Sequence, residues 1–437
     1  MDNILPKMYK SYGEYINSFR SFPLDLDGLK PVERRILLSA FDVAKDKFVK
    51  SAKIDGNCMA SYHPHSSSYS TIVNLVNQGF LIGQGNFGTK CGVDPTGAAS
   101  SRYTECKSSK DIINMAFKYV KHVPWEALEL EKEPLYLPTM IPFCLIGKEY
   151  TQGIGFGFRT FIPCYKIEDL KKRLLYLLGK TKEKPIIKPI TDCDILASDE
   201  ELEELLTKGK VKINVKGIYE IDNLRKKVYL KSWPTGNLFQ SLLKKFSKEL
   251  ESQDIGFTDS STTETNIVFE VLKQRNVNLI FKNFVKKLDE VLKGSTTFEI
   301  IVVDLDRKVK NMSVDDLLLN TYKMYTETNK TMLNYEIGRC NKLIEENLLI
   351  EKVRPVLSKY ITNKVKDPSI IIDKITSETQ IDKKVVIQLL QENRISKLLT
   401  VDTDITKFKE EIKSLQNNLN NIETFVLDQY NNLKMEN

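Results

Sequence analysis

The last third of the chain contains helical patterns that constrain its fold more than any other feature. Residues 313–358 form one long helical stretch with a single internal glycine, and residues 367–399 form a shorter, more compact helical run. Residues 405–426 then place apolar side chains alternately three and four positions apart, which is a heptad spacing. Two long helices separated by a compact helical run predict an antiparallel coiled coil with a module at its tip. The seam consists of Ile405, Phe408, Ile412, Leu415, Leu419, Ile422 and Val426.

The composition narrows the class of protein. With 437 residues the chain has room for roughly two to four domains, and 41% hydrophobic and 28% charged residues are typical of an ordinary soluble protein. Its seven cysteines are scattered and lack CxxC spacing, which favours reduced thiols over a disulfide framework. No apolar run approaches the ~20 residues that span a bilayer, and the N-terminus lacks the apolar core of a signal peptide. We therefore expect a cytoplasmic protein, whose net charge of +7 permits a polyanionic partner.

The first helical segment carries an aromatic stripe. Within residues 7–22, Tyr12, Tyr15, Ile16 and Phe19 lie at helical spacing, which predicts that this side of the helix faces the core.

A basic edge is predicted at the start of the next helix. Pro31 suits the first position of a helix, and Lys30 precedes it. In that helix we expect Arg34 and Arg35 to point outward together, while the apolar residues turn inward. Such an edge can contact phosphates, or it can be a solvated basic face.

Two histidines follow within a second helical pattern. Residues 50–78 resemble two short helices joined by a tight turn, which is a helix-turn-helix arrangement that can bind DNA. His63 and His65 flank Pro64 in that turn. Neither these histidines nor the cysteines show a complete ligand spacing, so no metal site is predicted.

A glycine-rich loop follows, at residues 80–88, and contains the pattern GxGxxG. A dinucleotide fingerprint requires this loop to open a helix, whereas the sequence that follows, TKCGVDPTGAASS, cannot form one. We expect instead a loop that lets backbone approach a neighbouring chain or nucleic acid.

The stretch AASSRYTECK, residues 98–107, places Tyr103 directly after Arg102. On its own such a pair is most often structural. A phenol beside a guanidinium can also be a nucleophile aimed at a phosphate.

The region from 135 to 163 contains apolar runs interrupted by glycine. Short strands are predicted around Phe143–Ile146 and Gly153–Phe161. Ile154 lies between two glycines and is either buried core or an exposed wedge of the kind that unstacks base steps. Residues 164–300 show both helical and strand patterns, which predicts an α+β domain, and these patterns indicate no catalytic or binding role. The acidic DLD at 304–306 is expected to form a hairpin turn.

Taken together, the motifs resemble the DNA-cleaving subunit of type IIA topoisomerases, the family of the gyrase A subunit. The order is that of the family: FRSFPLDLDGLKPVERRIL, KSAKIDGN…YHPH, GQGNFG, AASSRYTE and LPTMIP…GIGFGFRTFIP, all within residues 12–163. Weaker similarity continues through KGKVKINV and KSWP. The resemblance implies an α+β multidomain fold. Its parts would be a winged-helix breakage-rejoining domain at 1–163, an α+β tower domain at 164–312, and a coiled coil with a dimerisation gate at 313–437.

The resemblance also implies roles for particular residues. Tyr103 would attack a DNA phosphate and become joined to a 5′ end, with Arg102, Arg20 and His65 assisting it. The positions matching DNA contacts are Lys30, Arg34, Arg35, Lys53, His63 and Ile154.

The partners are implied in the same way. Nothing in the sequence resembles the ATP-binding domain or the acidic module that holds Mg²⁺, so both are expected on a partner subunit. The chain itself is expected to form a homodimer through its C-terminal gate and to bind double-stranded DNA. Because no DNA-wrapping domain follows the coiled coil, relaxation or decatenation is expected rather than supercoiling. The length and split organisation are most similar to the medium subunit in the T-even phage branch of the family.

A second hypothesis is a non-catalytic winged-helix DNA-binding protein with a coiled-coil dimerisation arm. Both hypotheses explain the basic N-terminal region and the heptads. Only the enzyme explains why the Arg102–Tyr103 pair, the histidine pair and Arg20 occur together. A tyrosine recombinase lacks a comparable ordered match.

Overall fold

The structure is a computed structural model with both helices and sheets. It describes residues 4–64, 67–89, 91–127, 132–236, 239–262, 264–273, 275–362, 367–400, 402 and 404–433. The chain forms two compact units, one of residues 1–325 with 432–437 and one of residues 326–431. None of the described helices is both long enough and apolar enough to cross a membrane.

The first unit begins with short helices beside a small antiparallel sheet of order β1-β3-β2. Its elements are α1 (Ile4–Ile16), a π-helical turn (Asn17–Ser21), α2 (Pro31–Val43), β1 (Val49–Lys50), α3 (Ser51–Ser61), α4 (Tyr69–Asn77), β2 (Leu81–Gln84), β3 (Glu105–Ser108) and the single turn α5 (Lys110–Ile112).

Two larger sheets build most of the rest of this unit. One has the order β6-β7-β14-β9-β8, so strands from widely separated parts of the chain share it. The other, of order β10-β11-β13-β12, is antiparallel and packs on α8 and α10 through an aromatic core that includes Phe246, Phe269 and Phe284. Two further pairs, β4 with β5 and β15 with β16, form separate two-stranded sheets. The strands of all these sheets are β4 (Trp125–Ala127), β5 (Lys132–Pro134), β6 (Thr151–Ile154), β7 (Arg159–Ile162), β8 (Asp194–Ile195), β9 (Lys210–Lys216), β10 (Tyr219–Asp222), β11 (Lys227–Leu230), β12 (Ile255–Asp259), β13 (Ile267–Val271), β14 (Lys293–Glu299), β15 (Ile301–Val303) and β16 (Val309–Asn311). The helices are α6 (Ile167–Leu177), α7 (Asp199–Lys208), α8 (Phe239–Leu243), α9 (Ser247–Glu251) and α10 (Val277–Val291).

Three predictions about local structure can be compared with this unit. The acidic stretch 304–306 does lie in a hairpin turn, between β15 and β16. The strand predicted over residues 153–161 is present as the β6–β7 pair. The strand predicted over residues 143–146 is wrong, because Phe143–Leu145 is a 3₁₀ turn in which Pro142 accepts the hydrogen bond of the Leu145 amide.

The prediction that the aromatic stripe of α1 faces the core is also wrong. Tyr12, Tyr15 and Phe19 are all exposed. The helix meets the rest of the unit chiefly through Phe156, whose ring contacts Tyr9 and Tyr12 edge-on, while Tyr15 stacks on Phe19. Helical periodicity identified the apolar face correctly, but too little of the chain covers it.

The N-terminal end of α2 is held by a buried ion pair. Arg34 donates from Nε to Asp27 Oδ2 at 2.7 Å and from Nη2 to Asp27 Oδ1 at 3.0 Å. The same carboxylate accepts from the backbone amides of Leu29 and Leu137. Arg34 is therefore buried, and the prediction that it points outward beside Arg35 is wrong. The Arg34 guanidinium can be buried because it forms an ion pair with Asp27, seven residues earlier. Both oxygens of that carboxylate also accept hydrogen bonds from backbone amides.

The second unit consists of helices. Helix α11 (Val314–Thr362) is followed by the compact helices α12 (Pro368–Thr379), α13 (Lys383–Glu392) and α14 (Ile395–Thr400), then by α15 (Thr406–Asn420) and α16 (Ile422–Asn432). The compact helices share a core with the later part of α11, formed by Ile350, Val353, Leu357, Ile371, Ile375, Val386, Leu389 and Leu398.

The last two helices run beside α11 in the opposite direction. Gln429 donates to Asn329 Oδ1 at 2.9 Å, and Arg339 lies 3.7 Å from Glu411. Residue numbers thus rise along α11 as they fall along its neighbours. Among the predicted seam residues Val426 is fully buried, and the other six are half-buried.

Removing the acid of the buried ion pair should destabilise the first unit. We expect Asp27→Ala to lower the free energy of unfolding by about 3–5 kcal/mol, because Arg34 would be left as an uncompensated buried charge. Both tryptophans, Trp125 and Trp233, lie in the first unit, so urea unfolding followed by tryptophan fluorescence reports on it. Glu14→Ala, which removes an exposed pair with Lys10, should change little. Equal effects of the two substitutions would contradict this account.

A second acid of this segment should make stability depend on pH in the opposite sense from usual. Burial, with help from Asp304 and Asp27, raises the pKa of Asp25 from 3.8 to about 6, although Lys310 opposes the shift. In the described part of the chain its Oδ1 meets no hydrogen-bond donor. The favourable effect of the bound proton is present below about pH 3.8 and is lost as the pH rises through 6.

We expect Asp25→Asn to raise the free energy of unfolding by about 2–3 kcal/mol at pH 7 and to have little effect at pH 4. Asp289→Asn is the matched control, because hydrogen bonds from Lys216, Lys293 and Tyr219 lower the pKa of Asp289. It should destabilise at pH 7, and its effect should fade in acid. Urea unfolding at several pH values measures both, and a loss of stability at pH 7 from Asp25→Asn would refute the prediction.

Candidate functional site

Tyr103 lies in a turn that exposes its phenol to solvent. The Tyr103 amide donates to the Ser100 carbonyl at 2.8 Å, which closes the turn, and the side chain is 66% exposed. The guanidinium carbon of Arg102 lies 4.7 Å from the centre of the tyrosine ring. The structure thus brings together the two residues that adjacency in the sequence suggested, in a cation–π arrangement.

The residues on either side of Tyr103 are anchored to two helices. Tyr69, at the start of α4, donates its hydroxyl hydrogen bond to the Ala99 carbonyl at 2.6 Å and lies 2.9 Å from Thr104 Oγ1. Thr104 is fully buried, donates to Ser51 Oγ at 2.8 Å and accepts from the Ser51 amide at 3.0 Å. The first amide of α3 has no acceptor within its own helix, so the turn also satisfies that donor. The phenol is exposed while its neighbours are fixed.

The glycine-rich loop packs against the same turn. The Gly88 backbone has a positive φ of +82°, and a Cβ there would lie 2.6 Å from the Thr96 carbonyl oxygen. Ala99 donates to the Asn86 carbonyl at 2.9 Å. No helix follows the loop in the described residues up to 101, as the rejection of a dinucleotide fingerprint required. At Gly88 the close approach is therefore to this chain's own backbone.

A second group of predicted site residues surrounds the start of α2. Arg35 forms a two-pronged ion pair with Glu133, at 2.7 and 3.0 Å, and its Nη1 lies 3.0 Å from His63 Nδ1. An arginine can only donate, so His63 Nδ1 must accept, and its proton is on Nε2. Glu133, whose partner is 98 residues away, had no local sequence signal.

The same group extends to strand β6. Lys30 Nζ donates to the Gln152 carbonyl at 2.7 Å, and Ser21 Oγ donates to the Ile154 carbonyl at 2.9 Å. Gly153 makes the second contact possible, since a Cβ there would overlap the Ser21 carbonyl oxygen. The Ile154 side chain is 81% exposed, which excludes the alternative of a core residue.

The remaining predicted residues are located as follows. Arg20 is exposed in the turn before Ser21, with its guanidinium carbon 5.7 Å from the centre of the Tyr15 ring, and Lys53 is exposed on α3. His65 lies outside the described residues. In the part of the chain that the structure describes, Arg102 and Tyr103 make no hydrogen bond, ion pair or ring contact with the second group.

Among the described residues, no group of three or more histidines, cysteines and acids lies close enough together to hold a metal ion.

The family follows from comparison with known proteins. A family model that describes the A subunits of DNA gyrase and topoisomerase IV matches residues 20–436. The chain therefore belongs to the family of gyrase and topoisomerase IV A subunits.

Individual relatives agree with this assignment. The chain is 26% identical to the DNA gyrase A subunit of Brachyspira hyodysenteriae over 383 residues, which cover 80% of this chain and 45% of that protein. It is 27% identical to the DNA topoisomerase 4 A subunit of Borreliella burgdorferi over 359 residues, or 80% of this chain and 52% of the relative. Identity to the DNA gyrase A subunit of Campylobacter jejuni is 35% over 196 residues, or 41% of this chain and 22% of the relative. The chain spans about half the length, or less, of the curated relatives it matches.

Proposed function

We propose that this chain is the breakage-rejoining subunit of an ATP-dependent type II DNA topoisomerase, an isomerase. The observation that carries the proposal is the exposed Tyr103 phenol on an anchored turn, with the Arg102 guanidinium beside it, in a member of this family. Relatives named as the A subunits of DNA gyrase and of DNA topoisomerase 4 support it.

The chemistry follows from these groups. Tyr103 Oη attacks a backbone phosphorus and the P–O3′ bond breaks. The phenolic proton passes to solvent, and the 3′ oxygen takes up a proton and leaves as a hydroxyl. The product is a 5′-phosphotyrosyl bond, and attack by the 3′ hydroxyl reverses every step. A preorganised cation stabilises the extra negative charge of the pentavalent phosphate, which is the role we assign to Arg102. Two such breaks open a duplex through which another duplex passes.

The second group of residues would hold the DNA. We propose that Arg20, Lys30, Arg35, Lys53 and His63 contact the backbone. Lys30 would approach as a point charge. The exposed Ile154 would insert between bases. For His65 the family resemblance alone supports a role in proton movement or phosphate binding.

Arg34 takes a different role in this proposal. Because its guanidinium is buried against Asp27, we assign it to supporting the start of α2 instead of contacting phosphate.

The proposed architecture has three parts. Helices α3 and α4 with the sheet β1-β3-β2 would form a winged-helix domain within residues 1–163, and residues 164–312 would form the tower. The antiparallel contacts of α11 with α15 and α16 support a coiled coil in residues 313–437. The compact helices α12–α14 would form the dimerisation gate at its tip.

The partners complete the proposal. ATP and Mg²⁺ would be bound by a separate subunit, which is consistent with relatives whose names designate them as one subunit of an enzyme. The chain would pair as a homodimer on double-stranded DNA in a bacterial cytoplasm. Assignment to the medium subunit of a T-even-type phage enzyme that relaxes or decatenates DNA rests on the family resemblance alone.

Replacing the proposed nucleophile should abolish covalent attachment to DNA. The chain, its ATPase partner, Mg²⁺ and supercoiled DNA are mixed and denatured rapidly, and protein-linked DNA ends are counted. We expect a linked end with the natural chain and none with Tyr103→Phe, whose DNA affinity should be nearly unchanged because only one hydroxyl is lost. Tyr335→Phe, at a tyrosine that is 60% exposed, is the control and should retain the adduct. An adduct formed by Tyr103→Phe would refute the site, and no adduct with the natural chain would favour a non-catalytic DNA-binding protein.

Shortening the proposed wedge should reduce DNA bending. We expect Ile154→Ala to lower the bend angle, measured by energy transfer between dyes on the ends of a short duplex, because alanine cannot fill an opened base step. Leu224→Ala, at a residue that is 96% exposed on a hairpin of another sheet, should leave the bend unchanged. If both variants bend DNA as the natural chain does, Ile154 is not a wedge.

A further inference from the structure

The loop that precedes Tyr103 reaches a distant sheet. Residues 91–99 lie between the glycine-rich loop and the Tyr103 turn, yet Val93 packs against the core of the sheet β10-β11-β13-β12. The Val93 amide donates to Asp259 Oδ2 at 2.8 Å, at the end of β12. Cys91 Sγ donates to the Thr262 carbonyl at 3.0 Å. A backbone amide, a thiol and an apolar side chain thus bind this loop to one sheet edge.

Gly92 makes the contact with Asp259 possible. Its φ is +90°, a conformation that favours glycine, and a Cβ would lie 2.7 Å from Asp259 Oδ2. Burial opposes ionisation of Asp259, but hydrogen bonds from Ser261 and the Val93 amide hold its pKa below the ordinary value. The acceptor is therefore a carboxylate at neutral pH, and hydrogen bonds to charged acceptors are the stronger ones.

The other end of the same loop is fixed at the Tyr103 turn. The Thr89 amide donates to the Thr96 carbonyl at 3.0 Å, and the two threonine hydroxyls lie 2.9 Å apart. Ala99 is held by Asn86 and by the Tyr69 hydroxyl. Only three residues separate Ala99 from Tyr103. Both ends of the loop are therefore held, one at the sheet and one beside the proposed nucleophile.

We infer that Asp259 is a positioning residue for Tyr103, acting through residues 91–99. Its carboxylate holds this loop against the sheet β10-β11-β13-β12, which restricts the backbone leading into the Tyr103 turn. The role rests on the proposed function of Tyr103, because a residue can position a nucleophile only if there is one. The consequence is that the orientation of the phenol depends on a sheet that supplies none of the proposed catalytic side chains.

The first test uses the thiol in the loop. Six of the seven cysteines are buried and Cys91 is half-buried, so alkylation of the native protein by iodoacetamide, mapped by mass spectrometry, reports on this loop. We expect Asp259→Ala to speed alkylation of Cys91 by about tenfold, as loss of a hydrogen bond to a charged acceptor implies. Asp259→Asn keeps an oxygen that accepts from Val93 and should restore most of the protection. Asp222→Ala is the control, because Asp222 accepts from the Leu224 and Arg225 amides in a hairpin of the same sheet.

The second test measures cleavage with the same variants. The full chain is combined with its ATPase partner, Mg²⁺ and supercoiled DNA, and the rate of the Tyr103 adduct is followed in a single turnover beside DNA affinity. We expect Asp259→Ala to slow the adduct by about tenfold with unchanged affinity, and Asp259→Asn to recover most of the rate. Loss of affinity in proportion to the rate, or no recovery by asparagine, would reduce Asp259 to an ordinary structural residue and overturn the inference.

Two glycines of the loop provide a second pair of test variants that leave Asp259 itself unchanged. Gly92→Ala pushes Asp259 away and should reproduce the effects of Asp259→Ala. Gly97→Ala should be silent, since a Cβ there meets nothing within 4 Å. If Gly92→Ala leaves both Cys91 alkylation and the adduct rate unchanged, the loop does not position Tyr103. If the natural chain itself forms no adduct, the proposed function fails and the inference fails with it. That outcome is distinct, because it is seen without any variant.

Discussion

The buried pair of Asp27 and Arg34 is the interaction on which the N-terminal part of the molecule depends. Its carboxylate accepts from the arginine twice and from the Leu29 and Leu137 amides, while the Asp27 carbonyl accepts from the Phe143 amide. Two segments distant in sequence, residues 27–34 and residues 137–143, therefore meet at one acid. An ion pair removed from water is tolerated only when its remaining hydrogen-bonding groups are satisfied, as they are here. Lys30 directly precedes α2, and Arg35 follows Arg34 within it. Burial of Arg34 therefore also determines the directions in which the Lys30 and Arg35 side chains project.

Sequence patterns predicted elements better than they predicted what those elements contact. Helical spacing identified α2 and predicted that its apolar residues turn inward, as the buried Ile36 does. The same reasoning wrongly predicted that Arg34 points outward, because periodicity assigns a charged residue to solvent unless a buried partner is known. The prediction that the aromatic stripe of α1 faces the core was wrong for the converse reason. Spacing shows that side chains share a face, but the covering surface comes from elsewhere in the chain. Here the contacts that cover the stripe come mainly from Phe156 and Arg307.

The candidate site shows the same division between local and distant information. Arg102 and Tyr103 are neighbours in sequence, so their pairing was visible at once. Glu133, Tyr69 and Asp259 were not identified, because each acts on a partner between 30 and 166 residues away through a single hydrogen-bonding group. A lone acid or tyrosine in an ordinary helix or strand has no pattern that distinguishes it. Resemblance to a family suggested which groups would react, whereas only coordinates could reveal what holds those residues in place.

The exposure of Tyr103 and Ile154 is best understood together with the rigidity around them. Each projects into solvent from backbone that is fixed by buried neighbours, Thr104 in one case and Ser21 in the other. Burial of apolar surface stabilises a fold, and neither of these exposed side chains contributes in that way. A side chain that must reach a phosphate or a base step needs an exposed tip. It also needs a backbone that is already ordered by folding, so that little conformational entropy is lost when DNA binds. The two residues have separate supporting contacts, so the loop that Asp259 holds would influence Tyr103 without touching Ile154.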